Sequence, residues 1–237
     1  MKAKDKLIVA LDADTLERAE ELVDILSPEV DIFKVGIAPF TGFGERLLNK
    51  LREKGKKVFL DLKFHDIPNT VKNAASAAAQ KGVFMINFHC LGGREMLKAA
   101  AIGAKEGAAS HGKVAPILLG VTILTSMDEK SMHDLGMSGR INDKVIELAS
   151  LAKGSGMNGV VASAQEAAKI KKSLGEDFIV VTPGVRPAGT AQGDQKRIVT
   201  PKQAIENGAD YIVVGRPIIQ AEDPLQAAKQ IIAEIEE

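Results

Sequence analysis

The sequence predicts an α/β fold, a single-domain (β/α)8 barrel over residues 1–237. Three observations predict it. Eight short apolar runs recur along the 237 residues, and most are followed by a segment with apolar residues at helical spacing. Most of the runs are continuously apolar, the pattern of parallel strands buried on both faces. Charged residues gather where the runs end, and in a TIM barrel the C-terminal strand ends carry the chemistry. A doubly wound open sheet shares the local pattern. However, the first run ends Leu11-Asp12-Ala13-Asp14, with no glycine-rich dinucleotide fingerprint.

The first strand is expected over Leu7–Ala13. Asp14 and Glu17 have capping-box spacing for a helix over Leu16–Leu26. The second run, Asp31–Gly36, carries Lys34 and leads to a helix within Gly44–Glu53 that Gly55 stops. The third, Val58–Lys63, precedes a helix over Thr70–Lys81 ended by Gly82. The fourth, Phe84–Cys90, precedes a helix over Arg94–Glu106 that Gly107 should end, with Gly92-Gly93-Arg94 as its entry. The fifth, Ile117–Leu124, runs into a long polar connection, Ser126–Asn142, and then a helix over Asp143–Lys153 closed by Gly154. The sixth, Gly159–Ser163, ends in a capping box made by Ser163 and Glu166. The seventh, Phe178–Thr182, is followed by the long connection Pro183–Thr200. Thr200-Pro201-Lys202-Gln203 then offers an N-cap, a proline at the first helical position and a return acceptor, with Gly208 as the stop. The eighth run is Tyr211–Arg216. Long connections in a compact domain are commonly functional. Pro183–Thr200 reads as a lid, with Gly189 and Gly193 to bend about and Thr190, Gln192 and Gln195 to grip a ligand.

Composition excludes several classes. Lys+Arg and Asp+Glu both number 31, so nothing global favours nucleic acid or an anionic membrane. Cys90 is the single cysteine, so no intrachain disulfide can form; this fits a cytoplasmic protein. Cys90 follows an apolar run and reads as a small buried hydrophobe. Met1–Lys6 is short and charged with no signal-peptide core behind it, and no apolar stretch reaches membrane-spanning length. The four histidines lack ligand spacing, so no metal is expected.

The chemistry concentrates in Phe59–Thr70, where Asp61, Lys63 and Asp66 fall within six residues. Side chains two apart on a strand share a face, so Asp61 and Lys63 should point together. Burying both costs free energy unless they pair. A lysine held among carboxylates is a charged proton donor aimed at one place. Asp12 and Lys34 end or approach the ends of the first two strands, so Lys34, Asp61, Lys63 and Asp66 can alternate in sign around one mouth. An ordinary salt bridge explains any one of them; four at one mouth favour an active site. Thr125 and Ser126 end the fifth strand, and Asn87 and His89 the fourth. His65 and His89 read as structural. Gly184 and Gly215 let backbone N–H groups approach an anion, and Arg186 and Arg216 add forked donors, a phosphate site after the seventh and eighth strands.

The run Asp61-x-Lys63-x-x-Asp66, inside DLKFHDIPNT, resembles the signature of the orotidine 5′-phosphate decarboxylase family. LIVALD (7–12), FKVG (33–36), FHCLGG (88–93), VTILTS (121–126), TPGVRP (182–187), GDQKR (193–197) and VGRPI (214–218) extend the resemblance across nearly the whole chain. It implies a homodimer, without metal or organic cofactor, that converts orotidine 5′-monophosphate to UMP and carbon dioxide in pyrimidine synthesis. It also implies roles. Lys63 would protonate C6, with Asp61 near the substrate carboxylate. Lys34 and Asp66 would complete the network, Asp66 arriving from the partner subunit with Ile67 and Thr70 beside it. Asp12 and Lys34 would contact the ribose, Thr125 and Ser126 the pyrimidine, and Arg186, Gln195, Gly215 and Arg216 the phosphate. Magnesium-dependent sugar-phosphate decarboxylases and aldolase-like relatives share the shorter D-x-K-x-x-D pattern and are the nearest alternative. A catalytically silent nucleotide sensor is a more distant one.

Overall fold

Eight parallel strands close on themselves in sequence order, β1 pairing with both β2 and β8. The computed structural model describes residues 2–187 and 199–236. The strands are β1 (Leu7–Ala10), β2 (Ile32–Gly36), β3 (Lys57–Phe64), β4 (Met85–His89), β5 (Ile117–Val121), β6 (Gly159–Val161), β7 (Ile179–Thr182) and β8 (Tyr211–Val214). Around them run α1 (Leu16–Leu26), α2 (Ile37–Phe43), α3 (Glu45–Glu53), α4 (Pro68–Gln80), α5 (Gly93–Ser110), α6 (Glu129–Asp134), α7 (Ile141–Lys153), α8 (Ala164–Leu174), α9 (Pro201–Glu206), α10 (Arg216–Ile219) and α11 (Pro224–Glu236).

Strand alternation divides the core in two. Ile8, Ala10, Ile32, Phe59, Met85, Leu119, Val181, Tyr211 and Val213 fill the barrel interior. Their neighbours in sequence, such as Leu7, Val9, Phe33, Leu60 and Val214, pack outward against the helices. The interior is therefore a filled plug, and ligand space is confined to one end.

Several expectations shift. The first, fifth, sixth and eighth strands end two or three residues before their apolar runs do, because the last residues leave the ladder and turn over the mouth. Arg216 opens α10 and does not end β8. Thr15, not Asp14, caps α1, its Oγ1 accepting the Arg18 N–H at 3.2 Å. The capping boxes at Ser163/Glu166 and Thr200/Gln203 form as spaced. The 126–142 connection contains α6, capped by Asp128, whose Oδ1 accepts the Ser131 N–H at 2.9 Å.

Gly107 does not stop its helix, which continues to Ser110. Gly103 and Gly107 lie one turn apart against α4. A Cβ at Gly103 would stand 2.1 Å from the Lys72 carbonyl oxygen, and one at Gly107 would stand 2.3 Å from that of Ser76. Both glycines serve the close approach of two helices.

Candidate active site

The strand ends surround one cavity of about 540 Å³. Its floor is the top of the interior core: Ala10, Phe59, Val161 and Val213. Asp12, Lys34, Asp61 and Lys63 line one side. Gly184, Arg186, Gly215 and Arg216 line another, and Thr125 and Ser126 stand between along the chain order of the strands. In an eight-stranded closed barrel β3 and β7 are diametrically opposed, so the Asp61–Lys63 end faces the Gly184–Arg186 end across the mouth.

The four charges on or just beyond the first three strands form a continuous chain. Lys34 Nζ lies 3.4 Å from Asp12 Oδ1 and 3.3 Å from Asp61 Oδ2. Lys63 Nζ lies 2.6 Å from Asp61 Oδ1. Signs alternate from Asp12 to Lys63, so the network is neutral although Asp61 is only 8% exposed. Burial of that carboxylate is affordable because both of its oxygens meet a cation. A side chain at Gly36 would displace this arrangement, since a Cβ there would sit 2.9 Å from Lys34 Nζ.

Lys63 reaches Asp61 by an uncommon route. It is the one non-glycine residue with positive φ, at 50°, among the described residues. The ladder between β3 and β4 is broken at the same place: Leu60 pairs with Ile86, and the next pair is Phe64 with Phe88. Three residues of β3 thus stand opposite Asn87 alone, a bulge at the barrel rim. Asn87 is fully buried. Its Oδ1 accepts the Lys63 backbone N–H at 2.8 Å, and its Nδ2 donates to Asp61 Oδ1 at 2.6 Å.

At the opposite rim, Gly184 has φ 77°, the left-handed conformation that glycine supplies without strain. Arg186 is 8% exposed, its main-chain N–H donating to the Val199 carbonyl at 3.1 Å. Val185 and Val199 form a parallel bridge. Gly215 leaves no room for a larger residue without pressing on Ala10, 3.3 Å from an added Cβ.

The chain matches the model of the orotidine 5′-phosphate decarboxylase / HUMPS family over residues 5–231. It belongs to that family. It is 48% identical over its whole length to an orotidine 5′-phosphate decarboxylase of Moorella thermoacetica, covering 94% of that protein. It is 50% identical over 97% of its length to one from Saccharophagus degradans, again covering 94%. The crystal structure of orotidine 5′-phosphate decarboxylase from Lactobacillus acidophilus superposes with a TM-score of 0.86 at 40% identity, covering 98% of this chain and 99% of that one. The chain is an enzyme, a decarboxylase of this family.

Of the residues singled out in the sequence, Asp12, Lys34, Asp61, Lys63, Thr125, Ser126, Arg186, Gly215 and Arg216 meet at this cavity. Asp66, Ile67 and Thr70 do not line it; all three are exposed, and Asp66 Oδ1 accepts the Ile67 N–H at 2.6 Å. Gln195, Gly189, Thr190, Gln192 and Gly193 lie outside the described residues. His65 and His89 stack with ring centroids 5.3 Å apart. Burial, then the charges of His65 and Lys63, hold His89 below its ordinary value. Burial pushes the Cys90 thiol up to about 12, as befits a packing residue. Sequence reasoning missed Ile123, Leu124 and Gln220, which also line the cavity. Apolar loop residues such as Ile123 and Leu124 carry no signal that distinguishes a pocket wall from core, and Gln220 follows the short α10, which the strand pattern does not announce.

Among the described residues, no group of three or more His, Cys, Asp and Glu is arranged to hold a metal. The donor chemistry is also unsuited: the Lys34 ammonium already sits between the Asp12 and Asp61 carboxylates, where a divalent cation would need those oxygens. No helix among the described residues is long and apolar enough to cross a membrane.

Proposed function

We propose that this decarboxylase converts orotidine 5′-monophosphate to UMP and carbon dioxide, completing pyrimidine nucleotide synthesis, with Lys63 as the proton donor. The observation that carries the reading is the ion-pair chain Asp12–Lys34–Asp61–Lys63 in a cavity whose far rim bears Gly184, Arg186, Gly215 and Arg216. A nucleoside monophosphate has the matching polarity, with its phosphate at one end and its reacting base at the other.

In the reaction the bond from C6 to the carboxylate carbon breaks and carbon dioxide leaves. The electron pair stays on C6. An enzyme with no electron-sink cofactor must stabilise that pair with fixed charge. The Lys63 ammonium supplies the charge and then transfers a proton from Nζ to C6; solvent later reprotonates the lysine. Asp61 holds Nζ at 2.6 Å and sets its direction. Its own charge faces the substrate carboxylate, a repulsion that ends when carbon dioxide departs. Asp12 and Lys34 hold the ribose, and Thr125 and Ser126 the pyrimidine. Arg186, Gly215 and Arg216, with Gln195, grip the phosphate, whose binding energy orders the site around a distant reacting atom.

The catalytic unit in this reading is a homodimer. Asp66, Ile67 and Thr70 are exposed and do not line their own cavity, and Ile67 is 66% exposed at the start of α4. Asp66 would enter the network of the partner subunit. The buried, unreactive Cys90 supports a cytoplasmic setting.

An absorbance assay with orotidine 5′-monophosphate, with and without EDTA, tests the reading. Rapid loss of the orotate chromophore in both conditions is expected. Turnover that EDTA abolishes and magnesium restores, or turnover only of phosphorylated keto acids, would replace it with the sugar-phosphate alternative.

A further inference from the structure

We infer that Asn87 is the positioning residue of the proton donor: its side-chain amide replaces the strand ladder at the β3 bulge and locks Lys63 in the left-handed conformation that aims it at Asp61. This rests on Lys63 being the donor.

Four observations converge. Lys63 holds φ 50°, a conformation that is strained for a residue with a side chain and persists only when its surroundings impose it. The bulge removes Lys63 from normal pairing, since no β4 backbone partner falls between Ile86 and Phe88 except Asn87 itself. Asn87 then satisfies the Lys63 N–H with its own Oδ1 at 2.8 Å. Its Nδ2 fixes Asp61 Oδ1 at 2.6 Å, the same oxygen that receives Lys63 Nζ at 2.6 Å. One amide therefore holds both the backbone of the donor and the carboxylate that orients it. Asparagine alone suits this place among residues of its size. Leucine would leave the Lys63 N–H without its acceptor and remove one of the two donors that fix Asp61 Oδ1, and aspartate would set a second carboxylate against Asp61. Asn87 lies beneath the cavity wall and does not line the cavity, so its effect passes through Lys63 and Asp61.

The test compares Asn87→Ala, Asn87→Asp and Lys63→Ala with the wild type, measuring kcat, KM, the dissociation constant for UMP and the unfolding midpoint. For Asn87→Ala kcat should fall at least tenfold per folded enzyme, while UMP affinity stays within about threefold, because the phosphate grip lies across the mouth. Asn87→Asp keeps an acceptor for the Lys63 N–H but repels Asp61. It should lose less than Asn87→Ala at pH 6 and progressively more as the pH rises, and being isosteric it carries the test if the alanine variant does not fold. An unchanged kcat in folded Asn87 variants, or a parallel fall of kcat and UMP affinity, would overturn the assignment. Substantial turnover in folded Lys63→Ala would instead remove the donor role itself, whatever Asn87 does.

Discussion

Replacing Gly103 by alanine pits two opposed effects against each other. In an exposed helix interior, glycine to alanine gains about 0.8–1 kcal/mol from propensity. At Gly103 the new Cβ would lie 2.1 Å from the Lys72 carbonyl oxygen, and contacts under 3.0 Å essentially never occur. The α4 and α5 backbones must therefore separate by roughly 0.9 Å or more, the difference between those two distances. The obstacle is main chain within a helix and cannot rotate aside. Overpacking of this kind costs about 1–3 kcal/mol, and a backbone clash belongs at the upper end. The net expectation is a destabilisation of roughly 1–2 kcal/mol, or a fall in Tm of about 2–8 °C for a chain of this size. Gly42, in α2, provides the control, because nothing lies within 4 Å of its Cβ position. Gly42→Ala should be neutral or stabilising by up to about 1 kcal/mol. Urea unfolding at one fixed protein concentration reads both variants, provided m is unchanged. If Gly103→Ala raised the midpoint as Gly42→Ala does, the close packing of α4 on α5 would be refuted.

Three further outcomes are expected. Arg216→Ala should raise KM by a factor worth roughly 2–4 kcal/mol, the weight of a charge-assisted phosphate contact, and an unchanged KM in steady-state assays would remove the phosphate assignment. Mixed dimers of Asp66→Ala and Lys63→Ala chains, each inactive alone, should recover activity after verified subunit exchange; no recovery would count against a shared site. His89 is held below its ordinary 6.5, so the fold prefers the neutral ring. Its stabilising contribution is complete above pH 6.5 and drains away as the pH falls from there toward the folded-state value. Urea midpoints taken from pH 7.5 to 5 should therefore decline more in the wild type than in His89→Gln, and matching slopes would contradict the burial account.

Much of the fold was legible because strand burial and helix punctuation are local signals. Leu16–Leu26 forms as read, and the Ser163 and Thr200 boxes close on their partners. Gly107 was not legible: a glycine late in a helical pattern can end the helix or admit a neighbour, and only α4 decides which. The strand ends were overrun for a related reason, since Ile123, Leu124 and Arg216 look like strand but turn over the cavity. At the site, Asp61 and Lys63 could be paired from alternation. They do meet, but through a bulge that alternation does not describe. The part of Asn87 was hidden, because a strand asparagine reveals its partners only once β3 and β4 are laid side by side. The separation of Asp66 from its own cavity was likewise invisible to spacing, which places it three residues from Lys63.

The central claim is that Lys63 protonates C6, and its most direct measurement is turnover of orotidine 5′-monophosphate by Lys63→Ala beside the wild type, with UMP binding measured on both. The account predicts that the variant folds and binds UMP while kcat falls by at least about 100-fold, the scale of a lost general acid. A folded variant that decarboxylates at a rate near that of the wild type would contradict it.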